Sequence, residues 1–420
     1  MDRIKKIKAR EILSVMALPT LEVEIETENN IKARAAVDIG TSIGKYEAVT
    51  LFDGGNRLFG QGNKKAVQII NENIAPQLIG MCVTDQKLID ERLIEMDGTP
   101  DKSHLGGNSM LGVSMAAAKA GALSLDIPLY HHLSSKENQD ISIPAPVFVM
   151  IHGGIGFSNL LQLEDFCLIP VDFDSFSEAL ESGIEIYYKL YDLLKEKHLV
   201  APGITFVPQM SKTREALDCM LQATRLCGYE DRYKLGLDAA ATECFDESKN
   251  IYQIDQIEIP KEEIISYYRE ILENYPFLYL EDPFHEDDLD NYQQLSKTFD
   301  NMQIVGDDMI ASNKTRLQKA ADMKLINSVL LKPNQIGTIS ELLEIAKLAK
   351  KLNIDMISSI RSKSTNELFL ADFSIAIGAT EIKAGCVPGY PSTGIYNRFL
   401  QIEEKNKTQY MGSVLKQKYN

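Results

Sequence analysis

Five charged side chains carry the chemistry this sequence can do: Asp238, Glu281, Asp307, Lys332 and Lys383. Each closes a short apolar segment: Lys234-Leu-Gly-Leu-Asp238, Phe277-Leu-Tyr-Leu-Glu281, Gln303-Ile-Val-Gly-Asp307, Ser328-Val-Leu-Leu-Lys332 and Glu381-Ile-Lys383. Three carboxylates brought to one place repel each other unless a cation sits among them. Hard oxygen donors without a neighbouring His or Cys suit Mg2+. A lysine packed near a metal and a second cation is expected to have its pKa pushed down, which suits a general base. The set therefore fits removal of a weakly acidic C–H proton beside a carboxylate, with metal charge stabilising the enediolate. Taken singly, each residue reads better as a salt-bridged strand end. Their recurrence at one strand end after another favours a site.

The elements that must position them repeat on a beat. With Asp355-Met-Ile-Ser-Ser359 included, the intervals between successive segment ends from Asp238 to Lys383 are 43, 26, 25, 27 and 24 residues. Stretches with helical periodicity lie between them, such as Glu262 to Asn274 and Ser340 to Leu352. Strand, helix, strand at about 25 residues is the rhythm of a parallel α/β fold. Charged residues at the C-terminal ends of the strands favour a barrel over a doubly wound sheet. Ahead of the barrel, Ile4 to Leu13 and Thr20 to Thr27 alternate as strands with one wet face. Ser109 to Ala122, rich in Ala, Gly, Ser and Met, is expected to be a helix packed closely by its neighbours. The polar stretch Ser135 to Ser142 reads as a linker. The expected organisation is an N-terminal α+β capping domain over 1–134, a (β/α) barrel over 143–410 and a fraying polar tail over 411–420.

Composition narrows the partners. The 420 residues are 44% hydrophobic and carry a net charge of -16, from 60 acidic and 44 basic residues. That acidity disfavours nucleic acid and anionic lipid, so an anionic substrate needs a local cluster of cations. The six cysteines show no CxxC pair and read as reduced thiols of a cytoplasmic protein. No apolar run is long enough for a signal peptide or a membrane span.

Longer motifs add a resemblance. Leu280-Glu-Asp-Pro-Phe284, Gly306-Asp-Asp308, Leu331-Lys-Pro-Asn-Gln-Ile-Gly-Thr338, Asp97-Gly-Thr99 with Lys102 to Val113, and Val37 to Ala48 resemble enolase, from about residue 5 to about residue 404. The resemblance implies an N-terminal α+β domain on an enolase-like (β/α)8-type barrel, in a homodimer. A lysine or histidine base working with Mg2+ is established for that superfamily. By the same resemblance Asp238, Glu281 and Asp307 hold the tighter Mg2+, and Ser42 closes over the site and binds a second. Lys332 matches the base that takes the C2 proton of 2-phosphoglycerate, and Lys383 the lysine that holds the substrate carboxylate. Arg361 and Ser362 resemble the pair that grips the phosphate.

The departures fall on one half of the site. The family's Gly-Asp-Glu-Gly-Gly loop, whose glutamate helps expel the hydroxyl, aligns with Ala201-Pro-Gly203-Ile-Thr205, leaving Gly203 at the acid position. The Gln-Glu pair before Phe166 is here Glu164-Asp165, and Asn-Gly-Gly-Ser-His is His152-Gly-Gly-Ile-Gly156. Ser-His-Arg-Ser becomes Ser359-Ile-Arg-Ser362, and the basic run after the last strand is replaced around Pro388-Gly-Tyr-Pro391. The half that stabilises an enediolate is intact, while the half that protonates the leaving group is rebuilt, with Asp165 and His152 as replacements for the acid. Three readings follow: a dehydratase of 2-phosphoglycerate or a close phosphorylated analogue, a paralogue acting on a phosphonate-type substrate, or a non-catalytic descendant. The complete acid triad and both lysines argue against the last.

Overall fold

The computed structural model describes residues 1–40, 44–134, 141–154, 159–197 and 205–419. Ser42, Gly203, Gly156 and most of the 135–142 linker lie outside the described residues. Ile4–Leu13, Pro19–Thr27 and Lys32–Ala36 form an antiparallel sheet, as their alternation predicts. The buried face, Leu21, Val23 and Ile25, meets the helix Gly107–Ser124. Small residues allow that approach: a Cβ on Gly112 would lie 2.8 Å from Val23 and 2.9 Å from Leu21.

The expected barrel is present. Nine strands run in the order Ala145–Pro146, Glu381–Lys383, Asp355–Ser359, Ser328–Leu331, Gln303–Gly306, Phe277–Glu281, Tyr233–Asp238, Asp165–Pro170 and Phe148–His152. The first and last of these are successive in the chain, and Val147 N donates to Ile382 O at 2.9 Å, so the sheet nearly closes on itself. One strand departs from the parallel expectation: Asp165–Pro170 is antiparallel to both neighbours. The segment after His152 returns without a crossover helix, and a short return forces the antiparallel direction. The first residue of that strand, Asp165, therefore sits at the end of the barrel where its neighbours finish.

The tail does not fray as expected. Thr408–Tyr410 pairs with Ile141–Ile143, and Met411–Lys418 is a helix. Its anchors are the buried Leu415, the Tyr410 hydroxyl donating to Pro170 O at 2.7 Å and the Tyr419 hydroxyl donating to Asp355 at 2.8 Å. A few apolar and aromatic contacts thus outweigh the polar composition of the segment. No helix among the described residues is long and apolar enough to cross a membrane, and all six cysteines are free thiols.

The N-terminal end of the barrel holds an unusual group. Glu381 is fully buried, and among the described residues neither carboxylate oxygen has a partner in good hydrogen-bond geometry. Burial and the Asp355 charge push its pKa up to about 8, against the Gln303 amide and Thr380. The folded chain thus keeps a proton that the unfolded chain releases near pH 4.5. Its stability should fall by about 1.4 kcal/mol per pH unit from there up to the folded value. Glu381→Gln removes that slope. The variant is expected to melt with the parent at pH 5 and several degrees above it at pH 8.5, in thermal scans across that range.

Candidate active site

The row of acids follows from strand register. His152 pairs with Asp165, Asp165 with Asp238, and Asp238 with Glu281. Side chains on neighbouring strands at one level stand about 5 Å apart, so these four residues form one rim of the barrel mouth. Asp307 follows directly on the next strand, Gln303–Gly306, and Lys332 on the one after, Ser328–Leu331.

Lys383 ties this rim together from another strand. Its Nζ lies 2.5 Å from Asp238, 2.8 Å from Glu281 and 3.1 Å from Asp165. Burial alone would lower its pKa, but those three carboxylates outweigh burial and hold it well above the ordinary lysine value. Lys332 Nζ pairs with Asp307 Oδ2, while Asp307 Oδ1 accepts from Gln335 Nε2 at 2.9 Å. The protein charges alone act in the opposite sense to the shift expected beside a metal. Burial and Arg361 push Lys332 down, yet Asp307, Glu281 and Asp308 together raise it. With only protein charges around it, the ammonium stays charged.

The acids respond in opposite directions. Glu281, which has no solvent exposure, is raised to about 8 by burial and by Asp238, against Lys383. Asp238 is raised by burial with Asp165 adding to it, also against Lys383. Asp307 is held low despite its burial, because Lys332 and Arg361 face it. Asp165 is held low in the same way by Lys383 and His152. Beside it, the half-buried Glu164 is raised well above the usual range by burial, Asp238 and Asp165, with the two lysines opposing. The Glu164-Asp165 pair is thus pulled apart, with Glu164 pushed up and Asp165 held down.

A metal fits this donor set. Glu281 Oε2 accepts from the Tyr279 hydroxyl and faces Lys383, but its Oε1 is buried with no hydrogen-bond partner among the described residues. An orphaned carboxylate oxygen in an acidic cluster is what a hard cation satisfies. Among the described residues, the acids whose ligand atoms all lie within 4.8 Å of one another are Asp282, Asp307 and Asp308, which could hold an ion as the structure stands. Chemistry separates the two sets. Asp282 is already used: its oxygens accept from Asp307 N at 3.1 Å and Asp308 N at 2.7 Å, and the Tyr292 hydroxyl binds it at 3.1 Å. With φ of 40°, a conformation that is costly for a non-glycine residue, Asp282 turns down to brace the backbone of Asp307 and Asp308. It positions the site more than it offers oxygen to it.

Arg361 is brought to the mouth as expected, and it is buried by the N-terminal domain. Its Nη1 lies 3.0 Å from both carboxylate oxygens of Glu47, and Glu47 accepts from Gly44 N at 3.1 Å. A Cβ on Gly40 would come within 1.9 Å of the guanidinium, so a larger residue there would displace Arg361 from this position. Ser362 is exposed beside it. Sequence reasoning missed Glu47, Asp282 and Gln335. Asp282 and Gln335 stand inside recognised motifs next to residues that were assigned roles, which was the signal available. Glu47 stands in one too, but its partner lies 314 residues away and nothing local announces the pair.

A nearly closed α/β barrel with acids and lysines interleaved at its C-terminal mouth is a barrel enzyme equipped to stabilise developing negative charge, a lyase in this case. Residues 4–133 match the family model "Enolase, N-terminal domain", and residues 140–419 match "Enolase, C-terminal TIM barrel domain". "Enolase" of Methanopyrus kandleri is 40% identical over 412 residues, covering 96% of each chain. "Enolase" of Methanothrix thermoacetophila is 42% identical over 406 residues, again 96% of each. "Enolase B" of Dictyostelium discoideum is 40% identical over 420 residues, covering 96% of this chain and 95% of its own. The chain belongs to the enolase family, and it is a lyase of that hydro-lyase class.

Proposed function

We propose that the chain dehydrates 2-phosphoglycerate, or a close phosphorylated analogue, with Mg2+ held by Asp238, Glu281 and Asp307. The observation that carries this reading is the gathering of those acids with Lys332 and Lys383 at one mouth of the barrel. A bound Mg2+ supplies positive charge against the carboxylate as it becomes an enediolate. Lys332 takes the C2 proton. Lys383, once its carboxylate partners are shared with the metal, holds the substrate carboxylate. Arg361 and Ser362 hold the phosphate, and Ser42 binds with a second Mg2+. Asp165 and Glu164 line the leaving-group side. The full-length similarity to proteins named enolase supports this substrate over a phosphonate. We place the chain in the cytoplasm as a homodimer on the same grounds.

The test is incubation with Mg2+ and 2-phosphoglycerate in D2O, following phosphoenolpyruvate and deuterium at C2. Both signals are expected; absence of both sinks the reading.

Glu47 supplies a second check. It is a buried counter-charge of Arg361, so Glu47→Gln breaks that ion pair. Breaking a buried pair costs roughly 3–5 kcal/mol. The variant is expected to melt below the parent and to show KM raised about tenfold, the effect of losing roughly 1.4 kcal/mol of binding, with kcat changed much less. Steady-state kinetics with calorimetry would measure both.

A further inference from the structure

We infer that His152, oriented by Asp165, donates the proton with which the substrate hydroxyl departs. This rests on the dehydration reading above and names the acid which that reading leaves open. His152 ends the strand Phe148–His152, and its Nδ1 lies 2.5 Å from Asp165 Oδ1. The other oxygen of Asp165 is 3.1 Å from Lys383. The backbone around the imidazole is also fixed: Asn159 Nδ2 donates to His152 O at 2.7 Å, and His152 N donates to Phe206 O at 2.8 Å. A carboxylate on one ring nitrogen sets the tautomer and ring angle. With Nδ1 committed to Asp165, the transferable proton is the one on Nε2.

Position decides the role. His152 stands at one end of the row His152, Asp165, Asp238, Glu281, and Lys332 lies beyond the other end, past the strand that carries Asp307. In a nearly closed barrel this sets base and acid on opposite sides of whatever the central acids and Lys383 hold. Removal of a proton from one carbon and expulsion of hydroxyl from the next requires two such groups. In the balanced step, Lys332 Nζ takes the C2 proton and the electron pair it leaves becomes the C2–C3 double bond. The C3–O bond then breaks towards oxygen, which takes the Nε2 proton and leaves as water. His152, now neutral, regains a proton from solvent.

The test compares two leaving groups. Chloride departs without a proton, so the analogue with chloride in place of the 3-hydroxyl needs the base but no acid. The parent chain, His152→Asn and Glu164→Gln are each assayed with Mg2+ for water elimination, chloride release and C2 deuterium exchange. Asparagine can still donate to Asp165 but cannot deliver a proton. His152→Asn is expected to lose water elimination by roughly 10²–10⁴-fold, the usual worth of a positioned acid, while keeping chloride release and exchange near parental rates. A parallel fall of all three signals, or no fall in any, overturns the assignment. So does the same split appearing in Glu164→Gln instead. Failure of the parent to exchange C2 deuterium overturns the underlying dehydration reading rather than the choice of acid.

Discussion

Lys332→Gln is expected to abolish deuterium exchange at C2 and elimination together, each by on the order of 10⁴-fold, the upper end of what a general base contributes. The joint loss is the diagnostic, because removing an acid on the leaving-group side spares exchange. What surrounds the ammonium decides whether it can act as a base. A base must be neutral, yet Asp307, Glu281 and Asp308 hold Lys332 charged. Those same carboxylates belong to the acidic cluster that fits a cation. Once their charge is shared with a metal, burial and Arg361 remain, and both favour the neutral amine. Lys332 is then a base only in the loaded site, and exchange without Mg2+ is expected to be undetectable. Lys332→Arg provides the control. A guanidinium keeps a positive charge beside Asp307 but does not deprotonate in proteins. It should lose activity as fully as the glutamine variant. Only Lys332→Gln removes the ammonium paired with the buried Asp307, so only that variant should also lose stability once an aspartate of the unfolded chain ionises, above roughly pH 4. Thermal melts at pH 4 and pH 7 would separate these effects.

What could be read before the structure follows from how local the cause is. Apolar runs ending in Asp238, Glu281, Asp307, Lys332 and Lys383 are local, and parallel strands on one beat must bring their ends to one mouth. That placement followed from spacing and elementary topology. Helix packing at Gly112 was equally local, since small residues leave room and a neighbour takes it. Asp165 is different. Its place in the rim depends on a strand running backwards, and the direction is set by a short return after His152 that no periodicity reveals. The pairing of Glu47 with Arg361 joins two domains and leaves no trace in either segment. The pKa of Lys332 is illegible for a related reason: its sign depends on the balance among four nearby charges and a bound metal, and residue types do not fix distances. The same holds for the tail, where Leu415 and two tyrosines find buried partners that composition cannot foresee.

Glu281→Gln should erase both Mg2+-dependent activity and the stabilisation that Mg2+ confers on the parent. At a concentration 100 times its dissociation constant, a ligand that binds only the folded state adds about 2.7 kcal/mol, enough to raise the melting temperature by a few degrees in a chain of this size. Glu281 is the sharpest probe of the site because its carboxylate is buried and its Oε1 has no other hydrogen-bond partner among the described residues. Burial raises its pKa to about 8, so a neutral amide of equal shape should leave the metal-free protein at least as stable at pH 7. Loss of the Mg2+ shift then reports on coordination and not on folding. The competing acids give contrary expectations. Asp308→Asn should retain most of the Mg2+ shift if Asp238, Glu281 and Asp307 are the ligands, and lose it if the ion sits among Asp282, Asp307 and Asp308. Asp282→Asn should lower stability with or without metal, because an amide nitrogen replaces one of the two oxygens that accept from Asp307 N and Asp308 N. Differential scanning of the three variants, with and without Mg2+, distinguishes a ligand from a brace without relying on turnover.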